Sequence, residues 1–305
     1  MEKLKNNRQK GITLIALVVT ITVLIILVTV SINTVLGDNG IIGRAQKAKD
    51  SYQNNQKTED EQMAVLANEM AQYDKTGNEG IIDKTKSYVG YYADVDGDGT
   101  VDGVIYADLA VDGSGQWGDD NGDFSYEAIT GVKDYIISQT SYSGDFGNNG
   151  VLKATGSGKN RLYVMALTDI DENTYTWYTN AYGNEISDYD TLTLEIFGTG
   201  KMNMDTMIEQ WNSSAYGDQS DNDMWKAVQT QVNKGWFVPS KGEWAAFGSN
   251  LKIDGSNYEN YKLADVYWSS SLSNENSDWG VSFSTGTMRY GFIYYSSSVR
   301  LSTTF

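Results

Sequence analysis

Trp236-Phe237-Val238-Pro239-Ser240-Lys241-Gly242-Glu243-Trp244 organises the C-terminal half of this sequence. Pro239 is the single proline of the chain. Ser240 and Glu243 stand at capping-box spacing, so a helix is predicted to begin here with Trp244 and Phe247 on its buried side. Aromatic residues at such a spacing read as core. Downstream, Tyr267-Trp268-Ser269-Ser270-Ser271 reads as a strand. In Trp279-Gly280-Val281-Ser282-Phe283 the apolar residues alternate, which points Trp279, Val281 and Phe283 inward and Gly280, Ser282 and Ser284 outward. Val299 and Leu301 repeat the alternation.

Upstream lie two more helix signals. Thr206-Met207-Ile208-Glu209 has the spacing of a capping box and is expected to open a short helix carrying Ile208 and Trp211. Asp223 is expected to cap a helix with Trp225, Val228 and Val232 on one face, ended by Gly235. Before these, strand-like runs alternate with Gly- and Asp-rich turns. The expected fold class is α+β.

The paired motifs around Trp244 and Trp268, continued through Trp279–Phe283 and Ser298-Val299-Arg300-Leu301, resemble C-type-lectin-fold domains of the formylglycine-generating-enzyme type. Within that group the sequence is similar to the variable proteins of diversity-generating retroelements. The resemblance implies a C-type-lectin-like ligand-binding domain over residues 88–305, whose last segment, 269–305, is diversified on a fixed scaffold. It further implies that Leu272, Ser273, Asn274, Glu275, Asn276, Asp278, Gly280, Ser282, Ser284, Thr287, Arg289, Tyr290, Phe292, Tyr294, Tyr295 and Ser297 are exposed contact positions for an extracellular protein or glycan. The enzymatic branch of that group works through cysteines, and this chain has none. The Glu-Pro-Asn and Trp-Asn-Asp strings of calcium-dependent lectins are also missing.

Composition supports a contact surface independently. Ser269–Phe305 holds 11 Ser, 3 Tyr, 3 Gly and 2 Asn, just over half of its 37 residues. Tyr gives large contact area at low entropy cost, and Ser, Gly and Asn give adaptable polar contacts. The alternative is an ordinary Ser-rich surface without a partner.

Asp94-Val95-Asp96-Gly97-Asp98-Gly99-Thr100-Val101-Asp102 alternates carboxylates around glycines between strand-like flanks, Tyr88–Tyr92 and Val104–Tyr106. Such a string can wrap oxygens around Ca²⁺, with side chains from Asp94, Asp96, Asp98 and Asp102 and the carbonyl of Thr100. Ile105 stands where an EF-hand needs its bidentate Glu, so a calcium-binding hairpin loop is expected, against the alternative of a solvated acidic turn.

At the other end, Lys3, Lys5, Arg8 and Lys10 precede Ile12–Gly37, 26 residues without a charge. As a helix this is about 39 Å, enough to cross a hydrocarbon core of about 30 Å. The basic flank leaves the remainder of the chain outside the cell. Lys10-Gly11-Ile12-Thr13-Leu14-Ile15 resembles the leader of type IV prepilins. That resemblance implies cleavage by a prepilin peptidase between Gly11 and Ile12, a leader over residues 1–11 and a transmembrane pilin helix over 12–37. The family's Glu at the fifth mature position is Ala16 here. A minor or tip subunit among other pilins therefore fits better than a major one, and an uncleaved signal anchor is the alternative. An amphipathic stalk helix (38–75) and a linker (76–87) follow.

The chain has 305 residues, 40 Asp plus Glu against 23 Lys plus Arg, and a net charge of −17. So acidic a surface repels phosphate backbones, and no nucleic-acid partner is expected. With no Cys and no His, thiol nucleophiles, Ser-His-Asp triads and imidazole-ligated metals are excluded. No enzymatic activity is expected. The combined expectation is a membrane-anchored or pilus-associated display protein, with a structural or carbohydrate-adhesive minor pilin as the second reading.

Overall fold

A computed structural model describes residues 15–29, 47, 49, 82–118, 122–138, 142–146, 150–153, 156–181 and 186–305. The chain divides into two units, Met1–Asp74 and Lys75–Phe305.

In the first unit, residues 15–29 form a helix, α1, whose side chains are exposed. Its threonine hydroxyls turn back onto the helix: Thr22 donates to the Val18 carbonyl at 2.8 Å and Thr29 to that of Ile25 at 2.7 Å. Such back-bonds satisfy the hydroxyls within the helix itself. Among the described residues no helix is long and apolar enough to cross a membrane. The ends of the uncharged Ile12–Gly37 stretch, the Gly11–Ile12 junction and most of the expected stalk lie outside the described residues.

The second unit is mixed α+β, as expected. Its largest sheet has six strands in the order β13-β7-β2-β1-β6-β5. They are β1 (Tyr92–Asp94), β2 (Gly103–Asp108), β5 (Ile136–Ser138), β6 (Val151–Lys153), β7 (Leu162–Ala166) and β13 (Ser302–Thr304). Every residue of β2 is buried, because the sheet is covered on both faces. Val104 and Tyr106 pack among Trp244, Phe247 and Phe283. Ile105 packs on the opposite side with Tyr135, Leu152, Val164 and Phe305. β13 is an outer strand, and the Phe305 carbonyl accepts from the amides of Arg161 and Leu162 at 2.9 Å.

A three-stranded sheet, β11-β10-β9, carries the tail: β9 (Val266–Asn274), β10 (Ser277–Ser282) and β11 (Thr287–Phe292). Two ribbons complete the strands. One joins β3 (Gly113–Gln116) to β4 (Asp123–Tyr126). The other joins β8 (Tyr175–Thr176) to β12 (Ser296–Ser297).

Among its described residues this unit holds four α-helices: α2 (Tyr189–Leu192), α3 (Gly200–Asn212), α4 (Met224–Val232) and α5 (Lys241–Asn250). The capping box forms as predicted. Ser240 Oγ accepts from the Glu243 amide at 3.3 Å, and Glu243 Oε2 accepts from the Ser240 amide at 2.7 Å. The other two expected helices also form, Asp223 standing at the N-cap position of α4, but their capping is corrected. Thr206 is not a cap: α3 begins two turns earlier, at Gly200, and Thr206 lies inside it. The Thr-x-x-Glu spacing occurs as readily within a helix as at its start. Asp223 precedes α4, but its side chain does not bond to that helix. It instead accepts from Trp211 Nε1 (2.8 Å), the Thr179 amide (2.8 Å), Thr176 Oγ1 (2.9 Å) and the Ser220 amide (3.0 Å). The expected strand Tyr88–Tyr92 also begins later, at Tyr92.

Candidate functional site

The C-terminal sheet is held rigidly from both sides. On one face Tyr267, Val281, Phe283 and Met288 pack against Trp244 and Phe247 of α5. Trp244 Nε1 donates to the Trp268 carbonyl at 3.1 Å, tying the two signature motifs together. On the other face Trp268 is buried with Leu272, Ile293 and Trp177. Its indole nitrogen donates to the Tyr175 carbonyl at 2.6 Å.

Covering both faces corrects part of the expected contact set. Leu272, Asp278, Gly280, Ser282 and Ser297 are buried, not exposed. Leu272 belongs to the core around Trp268. Ser282 Oγ bonds to Asp265 Oδ1 at 3.1 Å. Ser297 is locked in the ribbon opposite Tyr175. Gly280 sits in the central strand, where an added Cβ would lie 2.7 Å from the Tyr267 carbonyl oxygen. Simple alternation separates core from solvent only when one face is wet; here it holds for Val281, Phe283 and Ser284. Asp278 is the most unusual of these residues. Its carboxyl is fully buried and neither oxygen has a hydrogen-bond partner among the described residues. Burial pushes it well above the ordinary carboxylate range, and the nearby Glu195 adds to the shift.

The remaining positions do form a surface. Glu275, Ser284, Arg289, Tyr290, Phe292 and Tyr295 are exposed, and Ser273, Asn274, Asn276, Thr287 and Tyr294 are half-buried. Tyr290 is 68% exposed, Tyr295 53% and Phe292 40%, high values for large aromatic side chains. Phe292 and Tyr294 stack at 5.3 Å, and Tyr295 meets both edge-on at 5.6 and 4.9 Å. Each aromatic therefore stiffens its neighbour. Exposed aromatics clustered in this way differ from apolar residues scattered singly.

Beside this trio lies a cleft of about 330 Å³, lined by Val266, Trp268, Gly280, Arg289, Gly291, Tyr295, Ser296 and Ser297. The register places Trp268, Gly280 and Arg289 side by side across the three strands. Gly280 and Gly291 bring no side chain into the floor.

Sequence reasoning missed Trp268 as a lining residue and missed a bracket at the sheet's end. Lys241 Nζ lies 3.6 Å from the centroid of the Trp279 ring. Glu195 Oε2 takes Lys241 Nζ at 2.6 Å, and its Oε1 takes Trp279 Nε1 at 2.7 Å. Tyr290 meets Trp279 edge-on at 6.2 Å. Glycines inside a strand pattern were the available signal for the cleft, because they mark close approach.

The acidic loop leaves β1 at Asp94. Carboxylate oxygens of Asp94, Asp96 and Asp102 lie within 4.8 Å of one another. Asp94 is buried and accepts from the amides of Gly97 and Gly99, each at 2.9 Å. Asp102 Oδ2 accepts from the Val95 amide at 2.7 Å. Partial burial raises the Asp102 pKa, and repulsion from Asp96 and Asp94 adds to it. Asp98 stands outside the triad, with its Oδ1 taken by the Thr100 amide at 2.7 Å. Convergent carboxylate oxygens are the kind of donor that hard cations favour.

No protein family model and no curated protein matches this sequence. Among solved structures the chain is similar to a fimbrial protein from Bacteroides ovatus, with 16% identity and a TM-score of 0.33, over 48% of this chain and 36% of that one. The match thus spans little more than a third of that protein, and so slight a likeness carries no argument about the fold or role of this chain.

Proposed function

We propose that this chain is a surface-anchored or pilus-associated display protein that binds an extracellular ligand through its C-terminal face and performs no catalysis. The observation that carries this reading is the exposure of Tyr290 and Phe292 on β11 and of Tyr295 just after it. Rigid aromatics at a surface are the usual energetic anchors of interfaces. On this reading the domain is a C-type-lectin-like scaffold, the uncharged stretch from Ile12 holds the chain in the membrane after processing at Gly11, and residues 269–298 are diversified by a retroelement.

In the same reading Asp94, Asp96 and Asp102 hold Ca²⁺ and stiffen the entry to the domain. A bound cation would offset both the burial that chiefly raises Asp102 and the repulsion from Asp96 and Asp94 that adds to it.

The test is a screen of the purified full chain in detergent against arrays of extracellular proteins and glycans. Binding is expected to be lost in the double variant Tyr290→Ala, Tyr295→Ala while its melting temperature stays unchanged. Hits indifferent to both substitutions overturn the contact face. The diversified version is tested in the neighbouring DNA, where a reverse transcriptase and a near-copy of the tail's coding sequence are expected.

A further inference from the structure

Arg300 carries an unanswered donor. The side chain is 1% exposed, and two of its guanidinium nitrogens are engaged: Nε donates to Asp169 Oδ1 at 2.7 Å and Nη2 to the Lys262 carbonyl at 3.2 Å. Nη1 has no partner among the described residues. A buried donor left unpaired carries a desolvation cost, which an acceptor arriving from outside removes. Arg300 lines a cleft of about 410 Å³ together with Thr168, Asp169, Asp171, Glu172 and Lys262. A second cleft, of about 200 Å³, shares Thr168 and Asp169 with the first and is walled by Gln231 and Trp236. None of these residues lines the cleft beside Tyr295.

The shared wall is fixed before anything binds. The amides of Ala166 and Ile170 donate to the carbonyls of Leu301 and Val299 at 2.9 and 3.0 Å, which clamps the segment that bears Thr168 and Asp169. Asp169 also accepts from the hydroxyl of the buried Tyr267 at 2.9 Å. Lys262 is held at a φ of 56°, in the left-handed region, and there its carbonyl meets Arg300.

Charge selects the class of occupant. Arg300 is paired with Asp169, and Lys262 Nζ lies 3.4 Å from Asp145 Oδ2, so no spare cation awaits an anionic ligand. An anion would also sit beside the carboxylates of Asp171 and Glu172. A cationic ligand fails for another reason: the orphaned Nη1 can only donate, and a cation brings it no acceptor. A neutral, oxygen-rich ligand meets both conditions. The Thr168 hydroxyl, the Gln231 amide and the Glu172 carboxylate make no side-chain hydrogen bond among the described residues and supply further donors and acceptors. The half-buried Trp236 adds an aromatic ring. Hydroxyls and the C–H face of a sugar ring match such a set of groups.

We propose that these adjoining clefts form a second binding site, for a neutral oligosaccharide, with a sugar oxygen accepting from Arg300 Nη1 and a ring packed on Trp236. The site stands apart from the C-terminal contact face and does not rest on it.

The probe is an array of neutral oligosaccharides built from hexoses and N-acetylhexosamines, printed beside sialylated and sulfated counterparts. The full chain is applied in a detergent without a sugar headgroup, because such a headgroup competes. Retention of a neutral oligosaccharide is expected, weakened about tenfold in Trp236→Leu and in Thr168→Val, the weight of one lost contact. Thr168 is exposed, so the melting temperature of Thr168→Val should stay unchanged and its loss of binding reports the site even where Trp236→Leu loosens the fold. Failure to retain any neutral oligosaccharide overturns the inference, as does retention confined to the acidic ones. So does binding that ignores both substitutions, or binding lost in Tyr290→Ala, Tyr295→Ala, which assigns the sugar to the contact face. Sugars that answer to Thr168 and not to the tyrosines belong to this cleft and leave the contact face to be decided by the other hits.

Discussion

Arg161 and Asp108 form a two-pronged ion pair with no solvent exposure: Nε reaches Oδ1 at 2.6 Å and Nη2 reaches Oδ2 at 2.9 Å. Asp108 also accepts from the amides of Tyr88 and Ala110 at 3.0 Å, and Arg161 Nη2 donates to the carbonyls of Asp83 and Lys86. The pair thus fastens the entry of the domain to the end of β2. Removing one partner strands the other in the interior. Asp108→Ala is expected to destabilise the domain by about 3–5 kcal/mol in denaturant titration. A loss under 1 kcal/mol contradicts this account.

Glu243 gives a pH dependence of definite sign. It is fully buried, and desolvation lifts its carboxyl from the ordinary 4.5 to about 7. Oε2 serves the capping box, while Oε1 has no partner among the described residues and is the natural seat of a proton. The folded state therefore binds this proton more tightly than the unfolded chain. Its contribution to stability is complete below pH 4.5 and is lost as pH rises toward 7, by on the order of 3 kcal/mol. Other carboxylates slope the opposite way, so the readout is a difference. The stability of wild type relative to Glu243→Gln should fall across that window, and parallel curves reject the assignment.

Asp278 should be replaceable at a gain. Its two oxygens are buried without hydrogen-bond partners, so ionisation is penalised and the position carries a desolvation cost. The Ser269 and Trp279 amides are near enough to soften that cost, yet neither reaches hydrogen-bonding geometry. Asp278→Asn is expected to raise stability at pH 7 by about 1–3 kcal/mol, measured by chemical unfolding. A lower stability means that the carboxylate is specifically needed.

The two cleft glycines should differ. A Cβ at Gly280 meets the Tyr267 carbonyl oxygen at 2.7 Å, which backbone cannot yield. A Cβ at Gly291 meets the edge of the Trp268 ring at 3.4 Å, an ordinary contact. Gly280→Ala should lose about 1–3 kcal/mol, and Gly291→Ala should be nearly neutral in the same thermal melt. Equal effects argue against the close approach at Gly280.

Calcium should raise the melting temperature of the full chain, and Asp102→Asn should abolish the rise. Asp98→Asn should leave most of it, because Asp98 stands outside the triad. Calorimetric titration with no heat and no thermal shift removes the ion from this site.

What the sequence disclosed follows the range of the forces involved. The capping box at Ser240–Glu243 was legible because both partners lie within one turn. The acidic triad was legible because its members lie within nine residues. The start of α3 was not, since Thr206 carries the same local signature inside the helix. Burial of Leu272 and Ser297 depends on Trp177 and Tyr175, about a hundred residues upstream, which no local period reveals. The Asp223 hub and the Asp108–Arg161 pair are likewise assembled from distant segments, so Asp223 read locally as a cap and the pair left no local signal.

β13 closes the tail and supplies the flank of the six-stranded sheet beside β7. A slipped reading frame anywhere in residues 269–298 therefore erases that flank along with the altered loop. Folding itself acts as a proofreader: only chains translated in register as far as Thr304 leave a finished domain.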